Sequence, residues 1–227
     1  AHARGNRLMN TALLPFHPGA RLPATAKLLK RGERVLEPDV YVTPYEGRPV
    51  VVKDYRRYAG TPMALLARLL VWREARMLRH LAGWRHAPML LGTAGGLLLG
   101  MEFVSGTVLG GDAMDAGKTV FRQLRAMIAQ LHAAGITHND LHTSNLMVSG
   151  GTLVLLDYAS AMRLPRWMMR LPLLRELRRS DLANALKIQR RLTGREITGM
   201  RARVVAQRPW VSGVRNGWKR FYAWSKA

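Results

Sequence analysis

The stretch Ile136-Thr137-His138-Asn139-Asp140-Leu141-His142-Thr143-Ser144-Asn145-Leu146-Met147-Val148, followed by Leu153-Val154-Leu155-Leu156-Asp157-Tyr158-Ala159, decides how this chain reads. It sets an Asp and an Asn five positions apart in a polar loop, then a second Asp at the end of an apolar strand. Such a set suits transfer of a phosphoryl group from a nucleotide. That chemistry needs one carboxylate to orient an attacking hydroxyl and accept its proton, and hard oxygen ligands to hold Mg²⁺ against the phosphates. Asp140 suits the first task; Asn145 and Asp157 suit the second.

Two upstream residues extend the set. Lys53 closes the β-branched run Val50-Val51-Val52 and is the sole Lys between Lys30 and Lys118. Glu74 lies in a helical pattern and is the sole acid between Asp54 and Glu102. Paired, they would hold Lys53 on the α- and β-phosphates of a nucleotide. Alone, each reads as a solvated surface charge; beside the Asp140 loop, pairing is the better reading.

These motifs resemble the catalytic core of the protein-kinase-like superfamily. His-x-Asp-Leu-x-x-x-Asn stands here as His138–Asn145, and Asp-Tyr-Ala at 157–159 stands where Asp-Phe-Gly is usual. The resemblance implies an α+β, two-lobed fold with a minimal C-terminal lobe, ATP and Mg²⁺ as cofactors, and a site of Asp140, Lys53, Glu74, Asn145 and Asp157. Leu98–Gly106 resembles the strand leading into a kinase hinge. Met101 would then face the adenine, and the backbone of Glu102 to Val104 would bond the base; the segment reads equally as a buried strand and turn. Asp181 either braces the catalytic loop from behind or caps a helix.

The departures from the pattern are specific. No Gly-x-Gly-x-x-Gly precedes Lys53, since Gly32 and Gly47 are isolated. The nucleotide flap must work differently, with Arg31 or Arg34 as candidates near the phosphates. His-Asn-Asp lacks the arginine that reads activation-loop phosphorylation, and no Ala-Pro-Glu follows Asp157. A minimal, unregulated, atypical kinase is expected.

Composition agrees. The 227 residues carry 36 Lys+Arg against 14 Asp+Glu, a formal net charge of +22, and 48% are hydrophobic, enough for a core. The absence of cysteine excludes disulfides, Cys-ligated zinc, iron–sulfur clusters and thiol catalysis, and fits a reducing compartment. Residues 163–227 alone hold 17 Lys+Arg against 3 acids, a field that attracts phosphate-rich partners. Ala1–Asn10 is not expected to be a secretory signal, and the apolar stretch Met89–Met101 is too short to span a bilayer.

The patterning predicts a lead-in without defined elements over 1–30, a β-rich N-lobe with one long helix over 31–104, and a helical, basic C-lobe over 105–227. Glu46-Gly47 should turn a hairpin between two β-branched runs. Thr61 should cap a helix that begins at Pro62 and buries a stripe of Leu65, Leu66, Leu69, Leu70, Trp72, Met77, Leu78 and Leu81 up to Gly83. Leu97 to Val104 reads as a strand, and Thr119 to Ala134 as a helix closed by Gly135. Strands follow at Leu146–Val148 and Leu153–Leu156, and Ser180 or Asp181 caps a helix to Leu192.

Three small kinase-like families compete for the acceptor. The basic charge argues against the aminoglycoside-type phosphotransferases, whose cationic substrates need an acidic cleft. The lipopolysaccharide-core sugar kinases share the missing Gly-rich loop, the short C-terminal lobe and the basicity; RIO-type protein kinases share the catalytic loop. Trp167, Met168 and Met169 among arginines, and the tail Trp218-Lys219-Arg220-Phe221-Tyr222-Ala223-Trp224, suit an anionic membrane surface, though they read also as a buried cluster with a basic rim. The expected acceptor is therefore a sugar of a membrane-anchored glycolipid, with the protein peripheral on the inner face of the cytoplasmic membrane. The alternatives are a RIO-like serine/threonine kinase and a catalytically weak adaptor binding membrane or RNA. Nucleic acid ranks second as a partner, because no dedicated nucleic-acid module is found.

Overall fold

A computed structural model describes residues 25–110, 117–165 and 171–205. Its elements are β1 (Lys27–Lys30), β2 (Asp39–Tyr45), β3 (Arg48–Asp54), α1 (Met63–His80), β4 (Leu90–Ala94), β5 (Leu98–Glu102) and β6 (Thr107–Val108). There follow α2 (Lys118–Ala133), β7 (Ile136–Thr137), β8 (Leu146–Ser149), β9 (Thr152–Leu155), β10 (Met162–Arg163), α3 (Pro172–Thr193) and α4 (Gly199–Val205). Short 3₁₀ turns stand at Arg56–Tyr58 and Thr143–Asn145. The expected α+β class is what the chain adopts. The described residues cluster into two compact units, one of residues before 116 with 143–163, the other of 116–142 with residues from 164 onward.

In the first unit an antiparallel sheet runs in the order β1-β2-β3-β5-β4. Glu46 and Gly47 both take positive φ, 48° and 73°, the backbone that lets a two-residue turn follow the right-handed twist of β2 and β3. Side chains alternate along β3. Val50 and Val52 join Ala94 and Leu98 in a buried apolar cluster on one face. Lys53 and Val51 point to the other face, opposite Leu99 and Met101 of β5. A smaller sheet, β6-β8-β9, belongs to the same unit, with Gly150 and Gly151 at positive φ in its turn.

Several expectations need correction. The lead-in is not featureless, because Lys27–Lys30 pairs with β2 as an edge strand; residues 1–24 lie outside the described residues. Thr61 does not cap α1. Its hydroxyl donates to the Tyr58 carbonyl at 2.7 Å, and Pro62 takes the N-cap position. The predicted apolar stripe also splits. Ala64, Ala67, Val71, Glu74, Ala75, Met77 and Leu78 are buried, whereas Leu65, Leu66, Leu69 and Trp72 are exposed. Apolar residues recur at helical spacing on both sides of α1, so periodicity alone could not choose. The side with the alanines packs, since small residues bring the helix close to its neighbours.

In the second unit Gly135 at φ 77° follows α2, as expected, and Gly194 at φ 65° ends α3 in the left-handed conformation. Neither Ser180 nor Asp181 is a cap: α3 starts at Pro172, nine residues before Asp181, which lies inside the helix. β4, α4 and the two-residue strands were not foreseen. The Trp167–Met169 cluster and the basic–aromatic tail lie outside the described residues. Among the described residues, no helix is long and apolar enough to cross a membrane.

Candidate active site

The first unit builds its site from the far face of β3. Lys53 Nζ donates to Glu74 Oε1 at 2.7 Å and to Asp157 Oδ1 at 2.9 Å. The Glu74 side chain is 1% exposed and that of Lys53 10%, whereas Asp157 is 42% exposed. A carboxylate this buried is tolerable only with a charged or hydrogen-bonded partner. Burial by itself would lower the Lys53 ammonium, but the Glu74 and Asp157 carboxylates outweigh it and hold the group protonated well above the usual lysine range. Burial raises the Glu74 carboxyl, with the Asp157 charge adding to the shift and Lys53 opposing it.

Asp157 is held by more than Lys53. Its Oδ1 also accepts the Ala159 amide at 3.3 Å, and the Tyr158 amide donates to Glu74 Oε1 at 3.3 Å. The residue sits at φ 57°, uncommon for a non-glycine. Backbone strain of this kind persists where the surroundings over-determine it, typically at functional positions. Tyr158 anchors the segment, being fully buried.

Asn145 ends a 3₁₀ turn and is buried. The β8–β9 register pairs Leu146 with Leu155, and the Leu156 amide then donates to the Asn145 carbonyl at 2.7 Å. The hairpin therefore delivers Asn145 and Asp157 to the same end. One amide oxygen and one part-exposed carboxylate fit Mg²⁺, which is held by one or two protein oxygens while waters and substrate phosphates fill the rest. Among the described residues no group of three or more His, Cys, Asp or Glu forms a closed metal cage.

Met101 is buried on the sheet face that carries Lys53. Glu102 exchanges backbone contact with Met89, its amide donating to the Met89 carbonyl at 2.9 Å, and its carboxylate accepts the Met89 amide at 3.1 Å. Val104 follows β5 in irregular backbone, half-buried.

Asp140 belongs to the second unit, where its loop is braced from α3. Asp181 Oδ2 accepts the His138 amide at 2.9 Å and Oδ1 the Asn139 amide at 2.9 Å. His132 Nε2 lies 3.1 Å from Oδ2, and against a carboxylate that nitrogen is the donor. Asp181 is 1% exposed, so of its two sequence readings the geometry matches the brace. Asn139 takes φ 67° beside Asp140, whose carboxylate stands half-exposed 3.3 Å from His142 Nε2. The sequence reading missed His132 and His142 as partners. His142 was legible two positions from Asp140; His132 was not, because only the fold brings α2 to α3.

No family model matches the chain. Among solved structures it is similar to the Rio2 kinase–ADP/Mg²⁺–phosphoaspartate complex from Chaetomium thermophilum, with a TM-score of 0.60, 17% identity, and coverage of 72% of this chain and 55% of that one. The chain has a protein-kinase-like fold. In sequence the kinase-like chain is 40% identical over 89 residues to the EKC/KEOPS complex subunit BUD32 of Encephalitozoon cuniculi, covering 38% of this chain and 44% of that protein. It is 33% identical over 129 residues to the probable bifunctional tRNA threonylcarbamoyladenosine biosynthesis protein of Methanothermobacter thermautotrophicus, covering 54% and 23% respectively. The matched part of the kinase-like chain thus spans less than half the length of either curated relative. Neither of them is a lipopolysaccharide-core kinase by name.

Proposed function

We propose that this protein is an ATP-dependent atypical kinase that transfers the γ-phosphoryl group to a hydroxyl of a protein, in the manner of RIO-type and BUD32-like kinases. The observation that carries the reading is the buried Lys53–Glu74 pair reaching Asp157, a cation fixed where phosphate oxygens would be gripped. Lys53 binds phosphate and Glu74 positions it. Asn145 and Asp157 hold Mg²⁺, which when bound neutralises charge developing on the phosphates. Asp140 orients the acceptor hydroxyl and takes its proton, its loop steadied by Asp181. Met101, with the Glu102–Val104 backbone, receives the adenine.

The names of the relatives move the acceptor away from a glycolipid. One is a subunit of the EKC/KEOPS complex and the other a probable tRNA threonylcarbamoyladenosine biosynthesis protein. A protein acceptor within a tRNA-handling assembly suits a chain of net charge +22, because cations that neutralise phosphates supply sequence-independent affinity for RNA. The membrane reading rested on residues 167–169 and 218–224 and gains nothing from these relatives.

The test is transfer of radiolabelled γ-phosphate from Mg–ATP into a protein fraction, beside a membrane glycolipid extract, with Asp140→Asn as control. Label in protein is expected, with the variant binding Mg–ATP normally and turning over about 10²–10⁴-fold more slowly. Equal turnover in the variant removes the assignment of Asp140. Label in glycolipid alone would restore the sugar acceptor.

A further inference from the structure

The loop joining β1 to β2 is tied to the 3₁₀ turn Arg56–Tyr58 by a net of bonds. The Arg57 guanidinium donates to three loop carbonyls, those of Gly32, Arg34 and Glu37, and to Tyr58 Oη at 2.7 Å. The loop amides are taken as well. Gly32 N–H donates to Asp39 Oδ1 at 2.8 Å, Glu33 and Arg34 N–H to Glu37 Oε2 at 3.1 and 3.0 Å, and Leu36 N–H to Tyr58 Oη at 2.8 Å. Lys30 Nζ closes on the other oxygen of Glu37. Gly32 is pressed into this net so closely that a Cβ there would collide with the Glu37 carbonyl and with Arg57.

A glycine-rich phosphate loop works in the opposite way. Its backbone is mobile and its amides are free to cradle an anion. Here five amides already have acceptors, that of Glu37 bonding the Arg34 carbonyl at 3.2 Å, and a carboxylate of the chain itself sits on two of them. Those amides could receive a phosphate only by giving up these bonds. The loop leaves the side chains of Arg31, Glu33, Arg34 and Val35 exposed, and of these Arg31 and Arg34 are the cations that could meet an anion.

We propose that Arg57 is a positioning residue that fixes residues 31–38 as a preformed flap, so that nucleotide phosphates are met by side chains, Lys53 with Arg31 and Arg34, and not by the loop backbone. The proposal rests on the ATP-dependent reading above. It assigns to a planar fork the task that glycine spacing performs elsewhere. A lysine at position 57 could not replace the fork, because one ammonium cannot span three carbonyls in fixed geometry.

The experiment combines amide hydrogen exchange with calorimetric titration of Mg–ATP on the full chain, for the wild type, Arg57→Ala, Arg57→Lys and Arg31→Ala/Arg34→Ala. In the wild type the amides of Gly32, Glu33, Arg34 and Leu36 should be protected before nucleotide is added. Arg57→Ala should lose that protection and weaken Mg–ATP binding about tenfold, raising KM while kcat moves far less. Arg57→Lys should behave like Arg57→Ala. The double variant should weaken binding and keep the protection. An Arg57→Ala protein that loses protection yet binds Mg–ATP as the wild type does overturns the proposal, as does protection that arises only on adding ATP. A wild type that binds no Mg–ATP at all is a different result: it removes the kinase reading and this proposal with it, while exchange in Arg57→Ala still reports whether Arg57 orders the loop.

Discussion

Asp181 and Asn139 lie 42 positions apart in sequence, yet Asp181 Oδ1 accepts the Asn139 amide at 2.9 Å. The other carboxylate oxygen accepts the His138 amide and faces His132, so one buried side chain in mid-helix fixes the backbone immediately before Asp140. Removing it leaves two amides without their acceptor. Asp181→Ala should therefore cost about 2–6 kcal/mol of stability, at roughly 1–3 kcal/mol for each of the two orphaned amides. It should also lower turnover at saturating ATP, since the Asp140 loop loses its brace. Urea unfolding and steady-state kinetics check both; a variant within 0.5 kcal/mol of wild type by the usual ~0.5 kcal/mol tolerance of neutral sites would show the brace to be idle.

Lys53→Met strands the Glu74 carboxylate in the interior. A buried charge without its partner costs about 3–5 kcal/mol, whereas removing both charges costs much less. Lys53→Met/Glu74→Gln should accordingly be more stable than Lys53→Met alone, a non-additivity that a double-mutant cycle measures. The single variant should also respond to pH. Burial already raises the Glu74 carboxyl, and loss of Lys53 removes the opposing pull. A carboxyl whose pKa is higher folded than unfolded stabilises the fold while protonated and loses that contribution as pH rises. Lys53→Met should thus recover more stability on acidification than the wild type, in which Lys53 still opposes the upward shift of the Glu74 carboxyl.

Glu37 titrates in the other direction. Its hydrogen bond to Lys30, then that to the Arg34 amide, lower its carboxyl from 4.5 to about 2 against a small opposing effect of burial. A carboxyl with a depressed folded pKa stabilises above its unfolded value and loses the contribution as pH falls through the folded one. Loop 31–38 should therefore hold its amide protection down to about pH 4.5 and lose it progressively toward pH 2. Glu37→Gln should flatten that transition, and amide exchange read by NMR across the range decides the matter.

The two faces of α1 should answer differently to truncation. Leu69→Ala and Leu65→Ala, on the exposed side, should change stability by less than about 0.5 kcal/mol each. Leu78→Ala, 1% exposed, should cost about 2–5 kcal/mol. Denaturant midpoints with unchanged m-values are the readout, and equal losses on both faces would mean that the exposed leucines are covered in solution.

Local features of the sequence carried much of this. The hairpin at Glu46-Gly47 needs two adjacent residues that tolerate positive φ, and Gly135 ends α2 for the same reason; both are matters of a few consecutive dihedral angles. The alternation that turns Lys53 away from Val50 and Val52 follows from the period of a strand. Asp181 was legible only as a choice between cap and brace, because that choice depends on where α3 begins. The loop at 31–38 was legible only by what it lacked.

The sequence by itself determined which chemistry-bearing residues the chain possesses and how they are spaced within each motif, because covalent spacing sets the reach of Asp140, His142 and Asn145 and the strand register sets the facing of Lys53. Tertiary structure alone decided which side of α1 is buried, that Lys53 reaches Asp157 as well as the expected Glu74, and that Arg57 gathers three carbonyls of a loop twenty or more residues away. These outcomes depend on close packing and on satisfying every buried charge and amide at once, conditions that couple distant segments and that no local pattern records.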